Sequence, residues 1–134
     1  MAKYQKGVLD ISMTACGDLS GNQYYFVRCA STAGRVQVAN GASGPMPLGI
    51  LQNAPSSLET AQVRVMGTSK VWACIQNAFK FGDFLLSGSV GQADLYSGSG
   101  TAAGVAMEDV AAGASNYTEI LLFPVTSQIT DNTA

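Results

Sequence analysis

Histidine is missing altogether from the 134 residues. With it go the commonest general base, the usual partner of a nucleophilic serine or cysteine, and the commonest zinc ligand. Charge is scarce as well. Asp, Glu, Lys and Arg make up 12% of the chain, about half the usual share of roughly 25%. The net charge is −2 and the seven basic residues are scattered, with only Lys3 and Lys6 close together. Neutralising phosphates takes clustered Lys and Arg, so a nucleic-acid partner is not expected. The three cysteines, Cys16, Cys29 and Cys74, form no CxxC pair and are odd in number. They read as buried thiols in a reducing compartment, with no metal to hold. No apolar run approaches the ~20 residues of a membrane span. The start, MAKYQKGVLD, lacks the apolar core of a signal peptide. These features imply a protein made in a cytoplasm, with no membrane partner.

What is present is a grammar of short strands. Gly, Ser, Thr, Ala, Asn and Gln replace the missing charge, giving a polar surface that can be covered by neighbours at little desolvation cost. One chain of this length makes one domain with a real core. Helical spacing is nearly absent; Ser56 to Ala61 could form a single turn. Val8-Leu9-Asp10-Ile11-Ser12 reads as a first strand or an extended arm. Strands follow at Tyr24 to Cys29, Arg35 to Ala39, Gly49 to Gln52, Gln62 to Met66 and Lys70 to Ile75, with Gly67 between the last two. Phe84-Leu85-Leu86, Ala93 to Tyr96, Gly104 to Met107 and Glu119 to Phe123 complete the set. Strict alternation places Val36 and Val38, and again Val63 and Val65, on buried faces. Asn40-Gly41 supplies a turn that tolerates positive φ.

About ten short strands at this spacing define an all-β fold: a compact single-domain β-sandwich or partly open barrel, a jelly roll being one form it could take, with extended termini. Residues 1–12 are assigned to an N-terminal arm, 13–123 to a core of two loosely similar halves, and 124–134 to a polar tail behind Pro124. The halves align in order. Gly17-Asp18, the Tyr24 strand, Gly34 to Val38, Gly49-Ile50-Leu51 and Val63-Arg64-Val65 correspond to Gly82-Asp83, Phe84 to Leu86, Gly91 to Leu95, Gly104-Val105-Ala106 and Glu119-Ile120-Leu121. Each half would be a unit that cannot close its own core alone.

Residues able to carry chemistry are few. Glu108-Asp109 would face apart in a strand and read as a turn at a strand end. Asp18 and Asp83 follow glycines, which is turn chemistry. Ser69-Lys70 lacks the Ser-x-x-Lys spacing of a dyad. Ser97-Gly98-Ser99-Gly100 precedes no GK[ST] and is no phosphate cradle. Trp72, Phe79, Phe81 and Phe84 read first as core packing of one sheet, and otherwise as an exposed aromatic anchor. No catalytic residue, cofactor or metal site is expected. A carboxylate hydrolase using Asp94 or Glu108 is the enzymatic alternative.

The segments Gly49-Ile50-Leu51-Gln52-Asn53, Ala61-Gln62-Val63-Arg64-Val65-Met66-Gly67-Thr68-Ser69-Lys70-Val71, Gly82-Asp83, Gly104 to Glu108 and Glu119-Ile120-Leu121-Leu122 resemble the small capsid cement, or head decoration, proteins of tailed bacteriophages. In that family a G-[IV]-L-Q-N-x-P turn precedes a V-R-V-x-G-x-[ST]-K-V strand pair. The resemblance spans roughly Gly49 to Phe123 and fades between Gln76 and Gly100. It implies a β-rich virion protein on the outer surface of an icosahedral capsid. The protein would act as a homotrimer or a dimer and stabilise the shell by bridging major capsid protein subunits. Many identical contacts on a lattice would then add by avidity. Lys3, Tyr4, Lys6, Val8 and Leu9 are the expected capsid or subunit contacts, through arm addition to a neighbouring sheet edge. A receptor- or glycan-binding module of a tail fibre or spike is the alternative.

Overall fold

The computed structural model describes residues 7–41, 46–73, 78–96, 101–111, 117–123 and 129–130. Ten strands run in chain order: β1 (Leu9–Ala15), β2 (Phe26–Cys29), β3 (Arg35–Val38), β4 (Gly49–Leu51), β5 (Thr60–Trp72), β6 (Phe84–Ser87), β7 (Ala93–Leu95), β8 (Thr101–Ala106), β9 (Tyr117–Leu122) and β10 (Ile129–Thr130). The fold is all-β, as the strand pattern requires. All ten strands belong to one hydrogen-bonded sheet.

That sheet closes on itself twice. β1 pairs parallel with β3, β3 with β2, β2 with β4 and β4 with β5, and β5 returns to β1. In the second closure β5 pairs with β9, β9 with β8, β8 with β6 and β6 with β7. A parallel bridge from Ala73 to Ala93 brings β7 back to the end of β5. The two rings have the same pairing plan. In each, the first strand runs parallel to the third and antiparallel to the last, with β5 closing the first ring and opening the second. Closure removes the exposed edges that an open sheet would present.

Each ring encloses its own core. Val27, Val36, Leu51, Ala61 and Val63 fill the first, with Ala15 and Leu19. Val71, Ala73, Leu85, Ala93, Ala106, Ile120 and Leu122 fill the second, capped by Phe79. Phe26 and Ile50 come from strands of the first ring but point into the second core. They sit one residue out of phase with Val27 and Leu51, which face the first core, so alternation itself joins the rings. Each buries a whole large side chain, worth about 1.5–3 kcal/mol. The Phe26 N–H also donates to the Gly91 carbonyl at 2.8 Å, and the Trp72 N–H to the Tyr24 carbonyl at 3.0 Å.

The expected break at Gly67 is not a break: β5 runs through it. Gly67 has φ of +98°, a left-handed value open to glycine. Arg64 spans the irregular stretch, since its Nη1 donates to the Thr68 carbonyl at 3.1 Å while Nε and Nη2 hold both Asp10 oxygens at 2.8 and 3.1 Å. That fork ties β1 to β5 across the bulge beside Leu9 and Asp10. Of the two readings of Val8 to Ser12, the strand is the one found from Leu9 onward. β2 starts at Phe26, two residues later than expected, because Tyr24 has φ of +67° and cannot continue a strand. Ser56 to Glu59 is a tight turn and not a helical one. The Glu59 N–H donates to the Ser56 carbonyl, and the Ser56 N–H to the Glu59 side chain at 2.7 Å. Cys16 is half-buried, and Cys29, expected buried, is exposed at the end of β2. Cys74 lies outside the described residues. Within the expected tail, β10 pairs with β8.

Gly49 tests the ring closure directly. A Cβ there would overlap the Arg64 carbonyl oxygen and approach Val63 Cγ1 to 2.9 Å. Gly49→Ala should lower the unfolding free energy by about 1–3 kcal/mol, the usual cost of overpacking. Gly21→Ala, with open space around it, should stay within about 0.5 kcal/mol of the parent. Urea denaturation of both variants checks this.

Candidate functional site

Of the residues expected to contact a partner, Lys3, Tyr4 and Lys6 lie outside the described residues. Val8 packs against Gly67, close enough that a Cβ on that glycine would strike it. Leu9 stands opposite Met66, and the two are 49% and 43% exposed. They form an apolar pair on the outside of the first ring, where chain and bulge meet.

The outside of the second ring is more developed. Alternation along β9 buries Thr118, Ile120 and Leu122 and turns Tyr117, Glu119 and Leu121 outward. Phe84, Val105 and Leu121 stand in register across β6, β8 and β9. Phe84 and Leu121 are large exposed side chains, and the Phe84 ring lies 5.9 Å from that of Phe123 and 6.5 Å from that of Tyr96. Of the four aromatics read first as core, Phe79 is buried. Phe81 and Phe84 are exposed, and Trp72 is half-buried. Phe81 and Phe84 flank the Gly82 turn that leads into β6. Alternation in β6 reserves the inward place for Leu85.

Next to this apolar row is a mixed-charge pocket of about 190 Å³, lined by Lys70, Glu108, Tyr117, Thr118 and Glu119. Lys70 stands directly across the β5–β9 ladder from Glu119, the position from which opposite charges normally pair. Its ammonium instead lies over two rings, 5.7 Å from the centroid of Tyr24 and 5.9 Å from that of Tyr117. Tyr117 packs on Trp72 at 4.2 Å and edge-on to Tyr24 at 5.2 Å. Cation–π contact and aromatic packing thus hold the lysine. Glu108 is well served, because its Oε2 accepts the Thr118 hydroxyl at 2.9 Å and the Glu119 N–H at 3.1 Å. Glu119 is not. The residue is half-buried, yet both carboxylate oxygens are closed off from solvent and accept no hydrogen bond. Burial, and then the neighbouring Glu108 charge, push its pKa up.

The other chemical candidates resolve into structure. Asp109 accepts the Phe81 N–H at 2.9 Å, and Asp94 accepts its own neighbour's N–H, that of Leu95, at 2.8 Å. Asp94 is not part of the pocket wall. Ser69 is buried; it receives Gln52 Nε2 at 2.9 Å and donates to the Lys70 carbonyl at 2.8 Å. Among the described residues no group of three metal-ligating side chains occurs. Glu119 itself was read only as a strand position. Its outward placement follows from alternation with Ile120, but the partner facing it depends on strand register.

The chain is therefore a small all-β protein of two fused five-stranded rings, with an apolar row and an acidic pocket on the outside of the second. No family model matches it, and no curated protein does. Among solved structures it is similar to the head fiber gp8.5 N base in bacteriophage phi29, with a TM-score of 0.64 over 86% of this chain and 93% of that one. Sequence identity is 16%, so the likeness is one of fold.

The raised pKa of Glu119 has a definite sign. A carboxyl that is harder to ionise in the fold favours folding most below its ordinary pKa of 4.5. That contribution is lost as pH rises through the higher folded value. Glu119→Gln removes the charge and keeps the shape. It should stabilise the protein at pH 7 by up to about 1 kcal/mol, the scale of a partly screened charge interaction, because no charge has to be held out of water beside Glu108, and the gain should vanish below pH 4. Thermal unfolding of both proteins from pH 3.5 to 8 reads it.

Proposed function

We propose that this chain is a structural protein of a tailed-phage virion that binds the outer surface of the capsid. There it acts as an oligomer, a homotrimer or a dimer, and stabilises the shell by bridging major capsid protein subunits. The observation that carries this reading is the shared fold with a phage head-fibre base over nearly the whole of both chains. The ordered sequence segments that resemble capsid cement proteins support it independently. So do the low charge and the exposed apolar row through Phe84 and Leu121, which can be covered by a neighbour without desolvating ions. On this reading the protein has no catalytic task and no nucleic-acid, membrane or cofactor partner. It works in the virion after synthesis in the host cytoplasm.

The arm belongs to the same proposal. Lys3, Tyr4 and Lys6 would reach an adjacent subunit, while Val8 packs on Gly67 and Leu9 begins β1, so that both stay with the ring. A truncation meant to test the arm must therefore stop before Leu9, since losing Asp10 would also remove the fork to Arg64. A second reading, a glycan- or receptor-binding module, draws on Tyr117, which is exposed beside the carboxylates of the pocket.

Cosedimentation with expanded empty heads of the cognate phage decides between them. Saturable binding at a fixed ratio to major capsid protein is the expected result. Removal of residues 1–7 should lower occupancy and leave thermal unfolding unchanged. Absence of head binding, together with adhesion to host cells or a glycan array, would replace the capsid reading with the second one.

A further inference from the structure

We infer that the pocket beside Glu119 is a socket for a basic side chain, an arginine, carried by the protein partner of this surface. The partner's identity as a capsid protein rests on the reading above; the chemistry of the socket does not. Two carboxylates and one ammonium line the pocket, so its wall carries an excess negative charge. The excess is concentrated at one residue. Glu108 has two donors, whereas both Glu119 oxygens have none. Lys70, the cation placed to neutralise Glu119, is drawn aside by Tyr24 and Tyr117.

A guanidinium supplies what is missing. Its planar fork can give one N–H to each oxygen of a carboxylate, and its face can stack on an aromatic ring. Tyr117 stands at the pocket wall, and its ring, which the Lys70 ammonium now overlies, is the one an entering guanidinium would take over from Lys70. The Glu119 oxygens are closed to bulk water in the free protein, so the incoming group must open the wall. Lys70, whose ammonium lies over the Tyr24 and Tyr117 rings, is the side chain that the incoming group must displace. The apolar row continues from Glu119 to Leu121, one outward position along β9. A buried charged pair bordered by apolar contacts is the usual make-up of an interface hot spot. A metal ion fits less well, since the third anionic ligand is lacking among the described residues. A sugar fits the aromatic wall but leaves the excess charge uncompensated.

The test uses the intact protein and N-acetyl-arginine methylamide, followed by amide NMR shifts at pH 7.5. The citrulline analogue, of the same shape and without charge, is the control. Saturable shifts confined to residues 70, 108 and 117–119 are expected with arginine and not with citrulline. Glu119→Gln should weaken binding about tenfold or more, the loss of one charge-assisted pair, while Lys70→Met should strengthen it by removing the competing cation. Equal shifts with citrulline, retention of binding in Glu119→Gln, or no shifts at all would overturn the socket. A response to a monosaccharide panel in place of arginine would overturn it in favour of a glycan. Cosedimentation with heads is run in parallel. Arginine binding without head binding leaves the socket standing and removes the capsid reading, and head binding without arginine binding does the reverse.

Discussion

One strand serves two rings. The 13 residues of β5 complete the first cycle of hydrogen bonds and begin the second, so neither ring can close unless this strand is in register with both. Its first half faces Ala61 and Val63 into one core, and its second half faces Val71, with Ala73 just past its end, into the other. The join between these halves is Gly67, whose left-handed backbone lets the strand shift without ending. Arg64 fixes that join from outside, by holding Asp10 on β1 and the Thr68 carbonyl beyond the irregularity. Phe26 and Ile50 then anchor the rings face to face. The remaining strands are short, most of three to seven residues, and gain their order from closure more than from their own length.

Closure also explains how so little charge is tolerated. An open sheet protects its edges with lysines, prolines or inward charges. Here each strand of the two rings finds a neighbour on either side through the cycles. The surface is then free to be built from Ser, Thr, Gln and a few apolar side chains. The exceptions are where charge has been placed with a purpose. Arg64 and Asp10 form the one ion pair found among the described residues. Lys70 and Glu119 face each other across the ladder without forming another.

Much of this was legible in the sequence, for a simple reason. Alternation and glycine punctuation are local properties, and they give strand positions such as Arg35–Val38 and Gly49–Leu51 nearly to the residue. The buried places of Val36 and Val63 follow from the same period. What was not legible is which strand lies beside which. The return of β1 to β5 joins residues 46 to 57 positions apart, and no local signal encodes it. The continuity of β5 was missed because Gly67, of a residue type that breaks most strands, stays in the ladder here opposite Leu122 at a left-handed φ. Phe81 and Phe84 were read inward because hydrophobicity marks a side chain as able to be buried, whereas alternation with Leu85 decides which one is. The pocket was the least legible feature. Glu119 lacks a partner because Lys70 prefers two tyrosine rings, and that choice requires Tyr24, from the other ring, to be within reach.

The register of β5 carries one more implication. Leu9, where β1 begins, stands opposite Met66, and Leu122, where β9 ends, stands opposite Gly67. The first and last long strands of the double ring thus start and finish at adjoining places on its middle. Force applied between Leu9 and Leu122 would load that waist first and leave the far poles of each ring slack, while past Leu122 the chain is held again where β10 pairs with β8.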